Sequence, residues 1–175
     1  MTEMPRVLHT AIDAPDCRAL AEFYRALLGL RYRPGDEPPA GSAEDDADWL
    51  VLIEDGGRRV LAFQQKKDTA APTWPSEDVP MQMHLDFAVP NVEALQRQGH
   101  RAEELGARLL SDQSHDREEP LLVLADPAGH PFCLLVQAAP PAAESSIDVP
   151  DQRGEDCTAL TGLPITPGNQ AAQHP

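Results

Sequence analysis

The chain reads as an α+β domain made of two paired β-α-β-β-β modules. Three observations predict this fold class. One stretch is used twice: His9-Thr10-Ala11-Ile12-Asp13-Ala14-Pro15-Asp16 and His84-Leu85-Asp86-Phe87-Ala88-Val89-Pro90-Asn91 align position by position, histidine on histidine and proline on proline. In both copies a period-two alternation gives way to a helical period of 3.6. After each helix, three further runs of strand character follow, separated by turn residues. Two copies are too few for a solenoid, so the modules are expected to pair about a pseudo-twofold axis. Each then brings one histidine to a shared cleft.

Module one occupies residues 6–66. Residues 6–14 form its first strand, and Asp16 caps the helix that follows. Leu20, Phe23, Tyr24, Leu27 and Leu28 make an amphipathic stripe, and Gly29 stands at the C′ position. Residues 30–33 form a short strand. Residues 34–48 form a loop rich in Pro, Gly, Glu and Asp, long enough to rim a cleft. A hairpin of residues 49–54 and 59–66 turns at Asp55-Gly56-Gly57. Residues 67–80 link the modules and carry Trp74, which either closes over the cleft or pins the linker.

Module two occupies residues 81–137. In its first strand Leu85, Phe87 and Val89 share one face, and His84, Asp86 and Ala88 share the other. Asn91 caps a helix over 92–105 with Val92, Leu95, Gly99, Ala102 and Leu105 inward. A short strand at 107–110, a polar loop at 111–119, and strands at 121–125 and 131–137 around Asp126-Pro127-Ala128-Gly129 complete the repeat. From Ala138 onward the sequence turns aperiodic and rich in Ala, Pro, Ser, Asp and Gln. That places the domain at 1–138 and a disordered tail at 139–175.

Bulk properties exclude several classes. The formal net charge of −15 over 175 residues argues against nucleic acid and anionic membrane surfaces as partners. No apolar run approaches the length of a membrane span. The first six residues are too short and polar for a signal peptide. Three cysteines without paired spacing argue against a disulfide framework, and the cytoplasm is the expected compartment.

The doubled strand with its early histidine, the Phe23-Tyr24 and Leu27-Leu28-Gly29 run, and Asp126-Pro127-Ala128-Gly129-His130-Pro131-Phe132 together resemble the vicinal oxygen chelate superfamily. That group includes glyoxalase I, extradiol dioxygenases, fosfomycin-resistance enzymes and bleomycin-resistance proteins. Trp74-Pro75 and Gln82-Met83-His84-Leu85-Asp86 look like its glyoxalase-like subgroup. The resemblance implies a curved mixed sheet around the cleft. It also implies a four-position metal site, with one position on the first and one on the last strand of each module.

Carried onto this sequence, His9 and His84 fit the two first-strand positions as metal ligands. The last-strand positions, glutamates in many metal-dependent members, fall on Cys133 in module two. In module one the position falls on Ala62, or on Leu61 if the alignment slips by one. Cys133 has two open roles: a thiolate completing a His-His-Cys set suited to Zn, or a small buried hydrophobe. Asp86 is the candidate catalytic carboxylate, able to orient His84 for general-base work, and Asp13 stands in the same relation to His9. Gln64, Trp49 and Trp74 are candidate substrate contacts.

His100, His115 and His130 read as solvent-exposed. Cys17 lies where a helix N-terminus lowers a thiol pKa, yet it has no partner base. The implied cofactor is one divalent metal: Zn, Ni, Mn or Fe. The implied partner is a small oxygenated molecule, bound by a homodimer. Two functions are open. One is metal-dependent lyase, isomerase or dioxygenase-type chemistry; the other is drug sequestration of the bleomycin-resistance type, without chemistry.

Overall fold

The computed structural model describes residues 4–41 and 44–137, so the tail expected at 139–175 lies outside the described residues. Module one contains β1 (Thr10–Ala14), α1 (Cys17–Leu28), β2 (Arg31–Tyr32), β3 (Trp49–Ile53) and β4 (Arg59–Gln65). Module two contains β5 (Leu85–Val89), α2 (Val92–Glu104), β6 (Arg108–Gln113), β7 (Leu121–Ala125) and β8 (Pro131–Val136). The two four-stranded sheets have the same order, β1-β4-β3-β2 and β5-β8-β7-β6. In each, the first strand runs parallel to the last and the other pairs are antiparallel. A parallel pair needs a crossover, and each helix supplies one.

The caps form as the sequence dictates. Asp16 Oδ1 accepts the Ala19 N–H at 2.9 Å, and Asn91 Oδ1 accepts the Ala94 N–H at 2.8 Å. Gly29 ends α1 at φ 68°, the left-handed conformation that favours glycine. In both sheets one face turns to the helices. Ile12, Leu50, Leu52, Leu61 and Phe63 join α1 there, and Leu122, Leu124, Phe132 and Leu134 join α2, in one continuous core.

The two helices fill that core differently. α1 buries Leu20, Phe23, Tyr24 and Leu27, and the Tyr24 ring stacks on Phe63 at 5.7 Å while meeting Phe87 and Phe132 of module two at 6.1 and 6.2 Å. Each such aromatic pair adds about 0.5–1.5 kcal/mol beyond its buried area. α2 buries Ala94, Leu95, Gly99 and Ala102, small residues that bring it close to its sheet, with Gly99 against Leu122. Arg101 of α2 donates to the carbonyls of Leu27, at 2.9 Å, and of Ala26, capping the C-terminus of α1 from the other module.

Three strand boundaries differ from the sequence reading. β1 begins at Thr10 and β5 at Leu85, so both histidines precede their ladders. For β5 the cause is visible: Leu85 pairs with Phe132, and the next position back is Pro131, which has no N–H to extend the ladder. β6 runs on to Gln113 through a bulge between Leu109 and Ser111. Its polar Ser111 and Gln113, expected in a loop, sit opposite Val123 and Leu121. An edge strand tolerates polar residues on its open face.

Candidate functional site

The faces turned away from the helices carry the candidate chemistry. In parallel and antiparallel ladders alike, registered partners point to the same side. In module two, Asp86 pairs with Cys133, which pairs in turn with Val123. His84 lies two residues before Asp86, on the same face. The His84 Nε2 atom is 3.2 Å from Asp86 Oδ1. Ligand atoms of His84, Asp86 and Cys133 all lie within 4.8 Å of one another, and they form the one such group of three His, Cys, Asp or Glu side chains among the described residues.

The electrostatics of this cluster follow from its placement. The side chains of His84 and Asp86 are 41% and 56% exposed, while Cys133 is half-buried. Burial first, and then the Asp86 carboxylate, push the Cys133 thiol up to about 11. A divalent cation reverses that balance, because a coordinating thiol loses its proton to the metal's field. A tetrahedral ion with bonds of about 2.0–2.3 Å places its ligand atoms about 3.5 Å apart. Imidazole, carboxylate and thiolate are a donor set that would suit a Zn-type ion, and their ligand atoms lie within 4.8 Å of one another.

Module one is built on the same register with different side chains. Ala11 pairs with Ala62 as Asp86 pairs with Cys133. The register resolves the slip that the sequence leaves open: the last-strand position of module one is Ala62. It offers no donor, and with Val51 and Ile53 it forms a small separate apolar cluster. His9 stands outside the three-residue group. Its ring lies 6.0 Å from Trp49, and its Nδ1 is buried with no hydrogen-bond partner. Two residues beyond Ala11 and Ala62, Asp13 pairs with Gln64, which pairs with Trp49. Trp74 is half-buried in a linker turn closed by the Thr73 N–H on the Val79 carbonyl, 3.0 Å.

A model of the glyoxalase-like domain matches residues 9–135. The chain belongs to the glyoxalase-like domain family, within the vicinal oxygen chelate superfamily. Solved structures support the fold of this glyoxalase-like domain. A glyoxalase/dioxygenase from Nostoc punctiforme is 22% identical, with a TM-score of 0.54 and coverage of 77% of this chain and 92% of that one. A glyoxalase/bleomycin resistance protein/dioxygenase family enzyme from Burkholderia phytofirmans is 19% identical, with a TM-score of 0.54 and coverage of 74% and 96%. A fosfomycin resistance protein from Mesorhizobium loti is 15% identical, with a TM-score of 0.53 and coverage of 78% and 95%. No curated protein matches the chain.

Two sequence expectations about other side chains are corrected by this glyoxalase-like domain's structure. His130 is not solvent-exposed: its side chain is 21% exposed, and Nδ1 lies 3.1 Å from the fully enclosed Asp126 carboxylate. The signal for it was the Asp126-to-Gly129 turn, which brings residues 126 and 130 together across its mouth. Cys17 has a raised thiol pKa, not a lowered one, because burial outweighs the helix N-terminus and Asp16 adds to it. Its Sγ donates to the Ala47 carbonyl at 3.2 Å. His100 and His115 are exposed as read. Cavities of about 560 and 520 Å3 lie elsewhere, beside the start of α1 and between the helices, and neither is lined by the cluster. No helix among the described residues is long and apolar enough to cross a membrane.

Proposed function

We propose that this glyoxalase-like domain binds a small oxygenated molecule between its two modules, at a divalent metal held by His84, Asp86 and Cys133. The observation that carries this reading is the convergence of three different donor atoms within 4.8 Å on one sheet face. A divalent ion there supplies Lewis acidity toward substrate oxygens at its open positions. His84 and Asp86 fix one edge of the site, and Cys133, half-buried, shields the other from water. Module one supplies the opposing wall. His9 and Trp49 offer ring faces to a planar ligand, and Gln64 and Asp13 offer polar contacts farther along the sheet. A homodimer that covers the open sheet edges is the expected assembly, and light scattering on the purified chain checks it.

The test is the metal content of the protein purified without an affinity tag. About one Zn, Ni, Mn or Fe per chain, lost in both His84→Ala and Cys133→Ser, supports the reading. A second reading is favoured by the alanines at positions 11 and 62, which leave that row of module one without donors. In it the cleft sequesters a ligand without chemistry, and the His84–Asp86 pair serves as a polar anchor. Protein without metal, and without stabilisation by any of the four ions, puts that reading first.

A further inference from the structure

The helix-covered side of the sheets holds a cavity of its own. It lies between α1 and α2 and measures about 520 Å3, a volume typical of small-molecule sites. Phe87 and Val89 of β5 and Leu134 of β8 line it from the sheet, and Leu27, Leu28 and Ala94 line it from the helices. Phe87 and Leu134 alternate with Asp86 and Cys133 along their strands, so they point away from the open face. Four of the six are buried, whereas Leu28 and Phe87 are only half-buried and leave apolar surface uncovered in the cavity.

The polar part of the lining is cationic. Arg97 and Arg101 stand one turn apart on α2 and both line the cavity, together with Gln98. No Asp or Glu lines it. Among the described residues, both guanidinium groups meet only neutral oxygens. Arg97 donates to the Glu93 carbonyl at 3.4 Å, a long bond that leaves the rest of its fork without a partner. Arg101 donates to the carbonyls of Leu27, at 2.9 Å, and Ala26, and to Gln98 Oε1 at 3.2 Å. Those bonds use three of its five N–H groups. The chain has 29 Asp and Glu against 14 Lys and Arg, so two arginines beside a cavity without an acid single out an anion as its occupant.

We propose that this cavity is a second ligand site, for a medium-chain aliphatic carboxylate. The carboxylate pairs with the arginines, whose planar forks match it. The chain covers the exposed parts of Leu28 and Phe87 and lies against Val89 and Leu134. The lining favours a flexible aliphatic body over a planar one. Its one aromatic ring, Phe87, already meets Tyr24 and Phe132 at 6.1 and 5.9 Å, and no second ring is there to sandwich a flat ligand. The site stands apart from His84, Asp86 and Cys133, none of which lines it, and it needs no metal.

The experiment is a methyl NMR titration of the full chain with octanoate, with octanol and acetate as controls. Octanoate is expected to give saturable shifts at Leu28, Val89 and Leu134. Val51 and Val123, in the open-face rows of Ala62 and Cys133, stay unmoved. Octanol, with the same chain length and no charge, binds about 10-fold more weakly, because it forfeits a charge-assisted pair. Acetate gives no saturable shift. Arg97→Gln weakens octanoate by about the same factor and leaves octanol unchanged. Arg97 is exposed and bonds only within its own helix, so the variant keeps the fold. Shifts centred on Val51 and Val123 would place the acid in the cleft instead. Equal affinity for octanol, or an unchanged affinity in Arg97→Gln, would remove the arginines from recognition. Any of these results, or no saturable shift at all, overturns the proposal.

Discussion

The two modules share a backbone plan and place different side chains on it. At the first matched row of the open sheet face, module one has Ala11 and Ala62 where module two has Asp86 and Cys133. At the next row the contrast inverts: Asp13 and Gln64 in module one face the same way as Ala88 and Leu135 in module two. The helices differ in the same manner. At the position where α1 carries Tyr24, α2 carries Gly99. The turns before the last strands match as well. Arg58 Nε donates to Glu54 Oε1 at 2.5 Å in module one, as the His130 ring meets Asp126 in module two. Yet the first pair is largely solvated, and the second is sealed by Tyr24. A repeated fold fixes which positions face one another. It leaves each half free to become wall or donor set.

The largest expected effect tests the division of the open face. His84→Ala is predicted to weaken Zn binding at least about 100-fold, because it removes one of the three proposed ligands. His9→Ala, outside the group, is predicted to weaken it only a few-fold. Titration calorimetry on both variants checks this, and equal losses would show a site shared evenly across the modules. The reverse exchange sharpens it: Ala62→Cys in a Cys133→Ser background is predicted to restore no metal, since Ala11 offers no second donor beside it.

The turns come next. Tyr24→Phe removes a hydroxyl from a buried carboxylate, and is predicted to cost about 1.5–3 kcal/mol in denaturant unfolding. Glu54→Gln breaks the corresponding pair in module one and is predicted to leave the unfolding midpoint unchanged, because exposed ion pairs contribute little. A loss at Glu54 comparable to that at Tyr24 would mean that the module-one turn is also docked.

The smallest effect concerns the helices. A Cβ at Gly99 runs into the Leu122 side chain, so Gly99→Ala is predicted to trade better helix propensity, about 1 kcal/mol, against overpacking of about 1–3 kcal/mol. The expected net result is a loss near 1 kcal/mol, read from thermal unfolding. Ala26→Gly, on the larger-residue helix, is predicted to show only the propensity cost, because Ala26 is not among the buried residues that hold α1 to the core.

The sequence by itself determined the β-α-β-β-β repeat, both helix caps, the two faces of β5 and the family. All of these are local: periods of two and 3.6, a capping side chain within three residues, a proline and a turn at fixed offsets. It also brought His84 and Asp86 together, because residues two apart on a strand point the same way. Cys133 was legible only as one of two roles, since its place opposite Asp86 depends on the register of a parallel pair 47 positions apart, 86 to 133. His9 was read as the partner of His84 by symmetry of sequence. Only the tertiary structure brings Cys133 within 4.8 Å of His84 and Asp86, and sets the His9 ring 6.0 Å from Trp49. The same holds for His130, read as an exposed turn residue. Its ring meets Asp126, a carboxylate that Tyr24 of the other module reaches from 102 residues away. Local patterns specify what each segment becomes. Which side chains meet across the modules depends on how two similar halves of unequal side-chain size pack together, and no period in the chain encodes that.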